Sequence, residues 1–185
     1  MNVNIMRPVR WVGGAMFEPV ALDEHAMRMR NVAAAGQRAP AHVHDHMVET
    51  FTVLEGSATF YIGADQHAVP ATVGDRVSAA IGEPHAFACG TNGPTTFDVE
   101  FAPPADMPRM MAIIAGLQDD GESKWLLKYL YLERREQLRP FSRPIGAAGV
   151  MATMLMPVIV LCGRLAGWER LVGRYSPITT TEASR

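Results

Sequence analysis

The sequence predicts a mainly β chain, closed into a double-sheet barrel over residues 1–104 and followed by α-helices over residues 105–185. Three observations carry this expectation: many short strand-like runs at even spacing, turn residues between them, and a shift to helical, apolar composition after Pro104. The runs are 11–20, 27–34, 51–54, 58–62, 67–69, 75–80, 85–88 and 95–101. Gly13-Gly14, Glu55-Gly56, Gly63-Ala64-Asp65, Val73-Gly74-Asp75, the segment from Gly90 to Pro94, and Pro103-Pro104 punctuate them. Gly56, Gly74 and Gly82 are expected at turns that need positive backbone torsions.

Beyond Pro104 the apolar spacing becomes helical. Residues 107–117 form a short helix candidate and 123–138 a longer one, with Ser123 as its N-cap and Trp125, Leu126, Tyr129, Leu130 and Glu133 marking its faces. Glu133-Arg134-Arg135-Glu136 reads as a solvated face. The stretch 145–163 contains no charged residue, is bracketed by Arg143 and Arg164, and reaches the length at which a membrane span must be weighed. Pro157 inside it and its small-residue start, Ile145-Gly-Ala-Ala-Gly, favour a helix packed on the barrel or in a homodimer contact; a membrane anchor or interfacial helix is the alternative.

Composition narrows the function classes. With 185 residues and 48% hydrophobic side chains, the chain suffices for one good core. A formal net charge of -2 provides no field for nucleic acid, and no helix-turn-helix signature accompanies the barrel. Cys89 and Cys162, far apart in sequence, do not read as a disulfide framework. The first eight residues lack the basic start and apolar run of a secretory signal, so the expected location is the cytoplasm.

The chemistry concentrates between Gly36 and Gly56. On an extended chain His42 and His44 point to one face, and the period-two run Glu49, Phe51, Val53 allows the carboxylate to return to the same place. A second glycine-bounded segment, from Gly74 through Gly82 to His85, supplies a further imidazole. The two segments resemble the paired motifs of the cupin superfamily. The first motif is met at every position: glycine, five residues, His-x-His, four residues, glutamate, six residues, glycine. In the second, Gly74, Gly82 and His85 stand at the expected distances, while Ala80 replaces a proline and Cys89 an asparagine. The resemblance extends over residues 16–104.

That resemblance implies a jelly-roll barrel, a double-stranded β-helix, with His42, His44, Glu49 and His85 as metal ligands near its open end. Three neutral imidazoles and one carboxylate suit a divalent transition metal, with iron, manganese, nickel, copper and zinc all eligible, and leave one or two coordination positions open. His46 shares the parity of His42 and His44 but is expected to swing away in a turn, and Cys89 to be a small buried filler. Phe51, Phe60, Phe87 and Tyr61 are expected in the barrel core.

The leading expectation for function is a metal-dependent oxidoreductase of the dioxygenase type acting on a small organic molecule, aromatic ones included, with Glu49 doubling as proton acceptor. The alternatives are a non-catalytic module that binds a small ligand and a membrane-tethered barrel with a structural metal. A homo-oligomer is the expected assembly.

Overall fold

Alternation of apolar and polar side chains builds the barrel strand by strand. The computed structural model describes residues 7–11 and 15–175, at position 148 as backbone only. The chain runs β1 (Val9–Arg10), β2 (Met16–Leu22), β3 (Met27–Ala33), β4 (Arg38–Val43), β5 (Val48–Glu55), β6 (Ser57–Ile62), β7 (His67–Thr72), β8 (Arg76–Ala79), β9 (His85–Cys89) and β10 (Thr95–Ala102). Then come α1 (Met107–Asp119), α2 (Trp125–Arg135), β11 (Arg143–Pro144), α3 (Gly146–Leu165) and a short 3-10 turn, Trp168–Leu171.

Two antiparallel sheets face each other, one ordered β1-β2-β3-β10-β5-β8 and the other β11-β4-β9-β6-β7. In β10 every second residue, Thr95, Phe97, Val99 and Phe101, is buried, and β3 does the same with Met27, Met29, Asn31 and Ala33. This period-two burial is what a strand with one face on a core requires. Between the sheets, the Phe51 ring lies 4.7 Å from Phe60 and 5.7 Å from Phe97, and Phe87 lies 5.2 Å from Phe97. Each buried ring contributes about 1.5–3 kcal/mol of hydrophobic transfer energy. Tyr61 departs from the expected core set, being only partly buried on the alternate face of β6.

The fold is thus a double-stranded β-helix with C-terminal helices, as the sequence predicts. The differences in detail have local causes. Strand β5 starts at Val48 rather than Phe51, because its pairing with β10 begins at Val48 and Ala102. The run 11–20 yields β2 from Met16; the Gly13-Gly14 turn and residues 1–6 lie outside the described residues. Gly56, Gly74 and Gly82 have φ of 75°, 93° and 74°, as expected of their turns.

The helices show two corrections. Ser123 is not the N-cap of α2: Lys124 takes that position at φ 57°, and no side chain caps the helix. The turn between α1 and α2 delivers the chain in a left-handed conformation, so the Lys124 carbonyl, bonded by the Leu127 and Lys128 N–H groups, starts the helix. Helix α2 also stops at Arg135, short of Leu138, since Gln137 turns to φ 56°.

Helix α3 packs only one of its faces, and it does so against α2. At Gly163 an added Cβ would lie 2.4 Å from the Tyr131 ring, a close approach that only glycine allows. Ile159 and Val160 pack against the core from the same side. The opposite stripe, Val150, Met154, Val158, Leu161 and Leu165, is exposed. The tail meets the barrel at β11, where Gly149 closes on the Pro144 carbonyl. Among the described residues no helix is long and apolar enough to cross a membrane.

Candidate metal centre

Four side chains from three strands and one strand end converge in the barrel. His42 is the penultimate residue of β4, His44 lies just past its end, Glu49 is on β5, and His85 opens β9, directly opposite His42 across the sheet. One donor atom from each of the four lies within 4.8 Å of every other, so the group can hold a metal ion. All three imidazoles turn Nε2 toward Glu49. From Glu49 Oε2 the distances are 2.7 Å to His85, 2.8 Å to His44 and 4.0 Å to His42. His44 and His85 are almost fully buried, whereas the His42 side chain keeps 15% of its surface exposed and marks the open side.

The far edge of each ring decides what the near edge can do. Nδ1 of His42 meets the Pro40 carbonyl at 2.8 Å, that of His85 the Glu83 carbonyl at 2.9 Å, and that of His44 the Phe141 carbonyl at 2.6 Å. A carbonyl oxygen only accepts, so each Nδ1 carries a proton; a ring that is otherwise neutral aims an Nε2 lone pair at the carboxylate, and only a doubly protonated ring donates to it. Lone pairs facing an anion repel. Either a second proton on the rings or one shared cation resolves the clash, and a divalent ion bound by three Nε2 atoms and a carboxylate satisfies all four donors at once.

Electrostatics fit that donor set. Burial would raise the Glu49 carboxyl, but hydrogen bonds from His44 and His85 outweigh it and hold the group down at about 2. Burial pushes His42 below the ordinary imidazole range. His85 is also disfavoured as a cation by burial, yet its hydrogen bond to Glu49 and that carboxylate's charge bring it above the ordinary value.

The two departures from the motif find their places here. Ala80, standing where a proline is expected, donates its N–H to Glu83 Oε2 at 2.8 Å, and the Glu83 N–H returns to the Ala80 carbonyl at 3.0 Å. A proline has no such N–H. The reciprocal turn fixes Glu83, whose carbonyl orients His85. Cys89 sits four residues along β9 from His85, about 13 Å at strand rise, buried among core residues, and burial pushes its thiol up. It is a filler, as expected. His46 is exposed in the bend between β4 and β5, away from the group.

Sequence reasoning missed Phe141, which orients His44 from 97 residues away. A backbone carbonyl leaves no mark of residue type, so only the Asp45 and Arg143 ion pair beside it, bonded twice at 3.0 Å, offered a signal.

The chain thus combines a double-stranded β-helix with a three-histidine, one-glutamate cluster that could hold a metal ion. Residues 29–100 match the family model described as the cupin domain, and they are a cupin domain. Similar solved structures include that of KdgF from Halomonas sp., at 16% identity over 55% of this chain and 89% of that one, with a TM-score of 0.50. A predicted oxalate decarboxylase from Thermotoga maritima shares 18% identity over 53% of this chain and 93% of that one, with a TM-score of 0.48. An RmlC-like cupin from Shewanella frigidimarina shares 19% identity over 53% and 84%, with a TM-score of 0.46. At 16% identity the likeness to KdgF is one of fold alone. No curated protein matches this chain.

Proposed function

We propose that this chain is a metal-dependent oxidoreductase of the dioxygenase type, with His42, His44, Glu49 and His85 as ligands and a small organic substrate, aromatic ones included. The supporting observation is the donor set: three imidazole Nε2 atoms and one carboxylate oxygen within 4.8 Å of one another, with the opposite edge of every ring anchored. Four protein ligands leave one or two positions free on a five- or six-coordinate ion. A divalent transition metal bound there supplies Lewis-acid and redox chemistry at those positions.

The chain's own residues do the rest. The anchored rings fix the ligand geometry before any ion arrives, which removes a reorganisation cost. Phe101 and Phe141, whose rings lie 6.0 and 4.9 Å from His44, exclude water from its side of the cluster and leave His42 as the face of approach. Glu49 is ionised at neutral pH and so can take a proton from a substrate, but as a strong base only after its two imidazole hydrogen bonds are given up.

Protein purified without chelator, analysed for metal and screened against small organic acids and phenols under air and under nitrogen, tests the proposal. Metal-dependent substrate loss coupled to oxygen uptake supports it, and equal turnover under nitrogen refutes the dioxygenase assignment. The near-complete burial of His44 and His85 favours a second reading, a non-catalytic module in which the metal fixes an anionic ligand from the His42 side. Stoichiometric ligand retention without turnover in the same screen would select it. The cytoplasm is the location we assign. For the exposed stripe of α3, whose residues at 150, 154, 158, 161 and 165 follow the spacing of a helix-pair seam, the partner we assign is a second copy of this chain.

A further inference from the structure

We infer that the segment between α2 and α3, residues 138–145, is a strap that positions His44 for metal binding, so that the helical extension is a working part of the centre. The inference rests on the metal reading above. His42 and His85 are each oriented by the carbonyl two residues earlier in the chain, Pro40 within β4 and Glu83 in the turn before β9. The His44 ring has no such local holder: the Gly82 N–H fixes the His44 backbone through its carbonyl at 2.8 Å, but the ring Nδ1–H donates to Phe141, 97 residues away.

The strap is fastened on both sides of that contact. Upstream, the Arg139 N–H donates to Asp106 Oδ2 at 2.9 Å. The Phe141 ring packs 4.9 Å from His44, 5.4 Å from Phe101 and 6.4 Å from Trp11. Downstream, Arg143 holds Asp45, the residue after His44, with two hydrogen bonds of 3.0 Å. Strand β11 adds itself to the edge of β4, with Arg143 opposite Val43 and Pro144 opposite His42, and the Ile145 N–H reaches the Ala41 carbonyl at 3.4 Å. On the reverse side the strap borders a groove of about 1590 Å3, walled by residues such as Leu130, Met156 and Val160.

Losing the strap frees the His44 ring to rotate and to move its proton to Nε2, the ligating atom. Removing a group that orients a ligating histidine typically weakens metal binding about 10–100-fold.

The test is cobalt(II) titration of the full chain against a competing chelator, read by affinity and by the d–d absorption of the bound ion. Asp45→Ala with Arg143→Ala removes the pair at no change in net charge, and Phe141→Gly removes the packed ring; each is expected to weaken cobalt binding at least about tenfold and to alter the spectrum. Asp45→Arg with Arg143→Asp rebuilds the pair in reverse and is expected to restore both. Arg135→Ala, which breaks the ion pair from α2 to Glu169 in the 3-10 turn, serves as an ion-pair control away from the strap contact and is expected to leave both unchanged. Amide exchange at Ile145 reports strap release. Wild-type affinity and spectrum in a variant whose Ile145 amide exchanges freely overturns the inference, and a strap that stays docked in both disrupting variants overturns the account of what holds it. If the unaltered chain takes up no cobalt, it is the metal reading that fails.

Discussion

Replacing Glu49 by Gln should destabilise the metal-free protein by an amount set by the two imidazoles that bond it. The side chain keeps its shape, so the loss is electrostatic. In the folded chain the carboxyl is held at about 2 against an ordinary 4.5, and that difference is worth about 3 kcal/mol of folding free energy at pH 7. Two charge-assisted hydrogen bonds of 2.7 and 2.8 Å, each typically worth about 1.5–3 kcal/mol, give the same scale. A domain of this size shifts its midpoint by about 2–4 °C per kcal/mol, so the expected drop is about 6–12 °C. The sign of the pH dependence follows from a depressed carboxyl: its stabilisation is complete above pH 4.5 and disappears as the pH falls toward 2. Thermal unfolding by circular dichroism in excess chelator should therefore show a wide gap between Glu49→Gln and the unaltered chain at pH 7, and a gap of about half that size or less at pH 3. Equal midpoints at pH 7, or a gap that widens on acidification, would refute the reasoning.

Metal affinity should fall on acidification through the imidazoles rather than the carboxylate. His85, held above the ordinary value by Glu49, is the first to compete with the ion for its lone pair, so a competitive titration should show weakening already above pH 6.5, while Glu49 stays ionised far below. A pH-independent affinity between 5 and 8 would contradict this. Cys89→Ala should retain stoichiometric metal, read by elemental analysis, and cost about 1–2 kcal/mol for the small cavity it leaves in the core; loss of the metal would show that the thiol is a ligand. The exposed stripe of α3 should be covered by a second copy, giving a detergent-free dimer in analytical ultracentrifugation that Met154→Glu dissociates. Recovery of most of the chain in a membrane pellet that resists high salt would instead assign that stripe to lipid.

What was legible in the sequence divides along the range of the interactions. The barrel could be read because period-two burial is written in residue type: Phe97, Val99 and Phe101 on β10, or Glu49, Phe51 and Val53 on β5, alternate as their environment demands. The four donors could be listed because their spacing matches a motif whose side chains perform the chemistry themselves. The anchors of His42 and His85 lie two residues before each histidine, one within β4 and one in the turn before β9, so they too are encoded nearby. The anchor of His44 is a carbonyl that any residue would supply, delivered by a chain reversal through two helices. The start of α2 was misplaced for a related reason. Ser123 has the right chemistry for a cap, but the turn at Gly121, with φ 62°, and Lys124 in the left-handed region set the helix start one residue later. The tail was expected to bury its apolar face on the barrel or in a subunit contact; hydropathy alone does not say which side of a uniformly apolar helix will meet α2, and the close contact at Gly163 decides it.

The central claim is that His42, His44, Glu49 and His85 bind one divalent metal ion in common. Elemental analysis of the full chain expressed in metal-supplemented medium and purified without chelator, alongside the four single alanine variants, tests it most directly. The account predicts one equivalent of a divalent transition metal in the unaltered chain and well under half an equivalent in each folded variant. Metal-free protein from every medium, or full occupancy in the Glu49→Ala and His85→Ala variants, would contradict it.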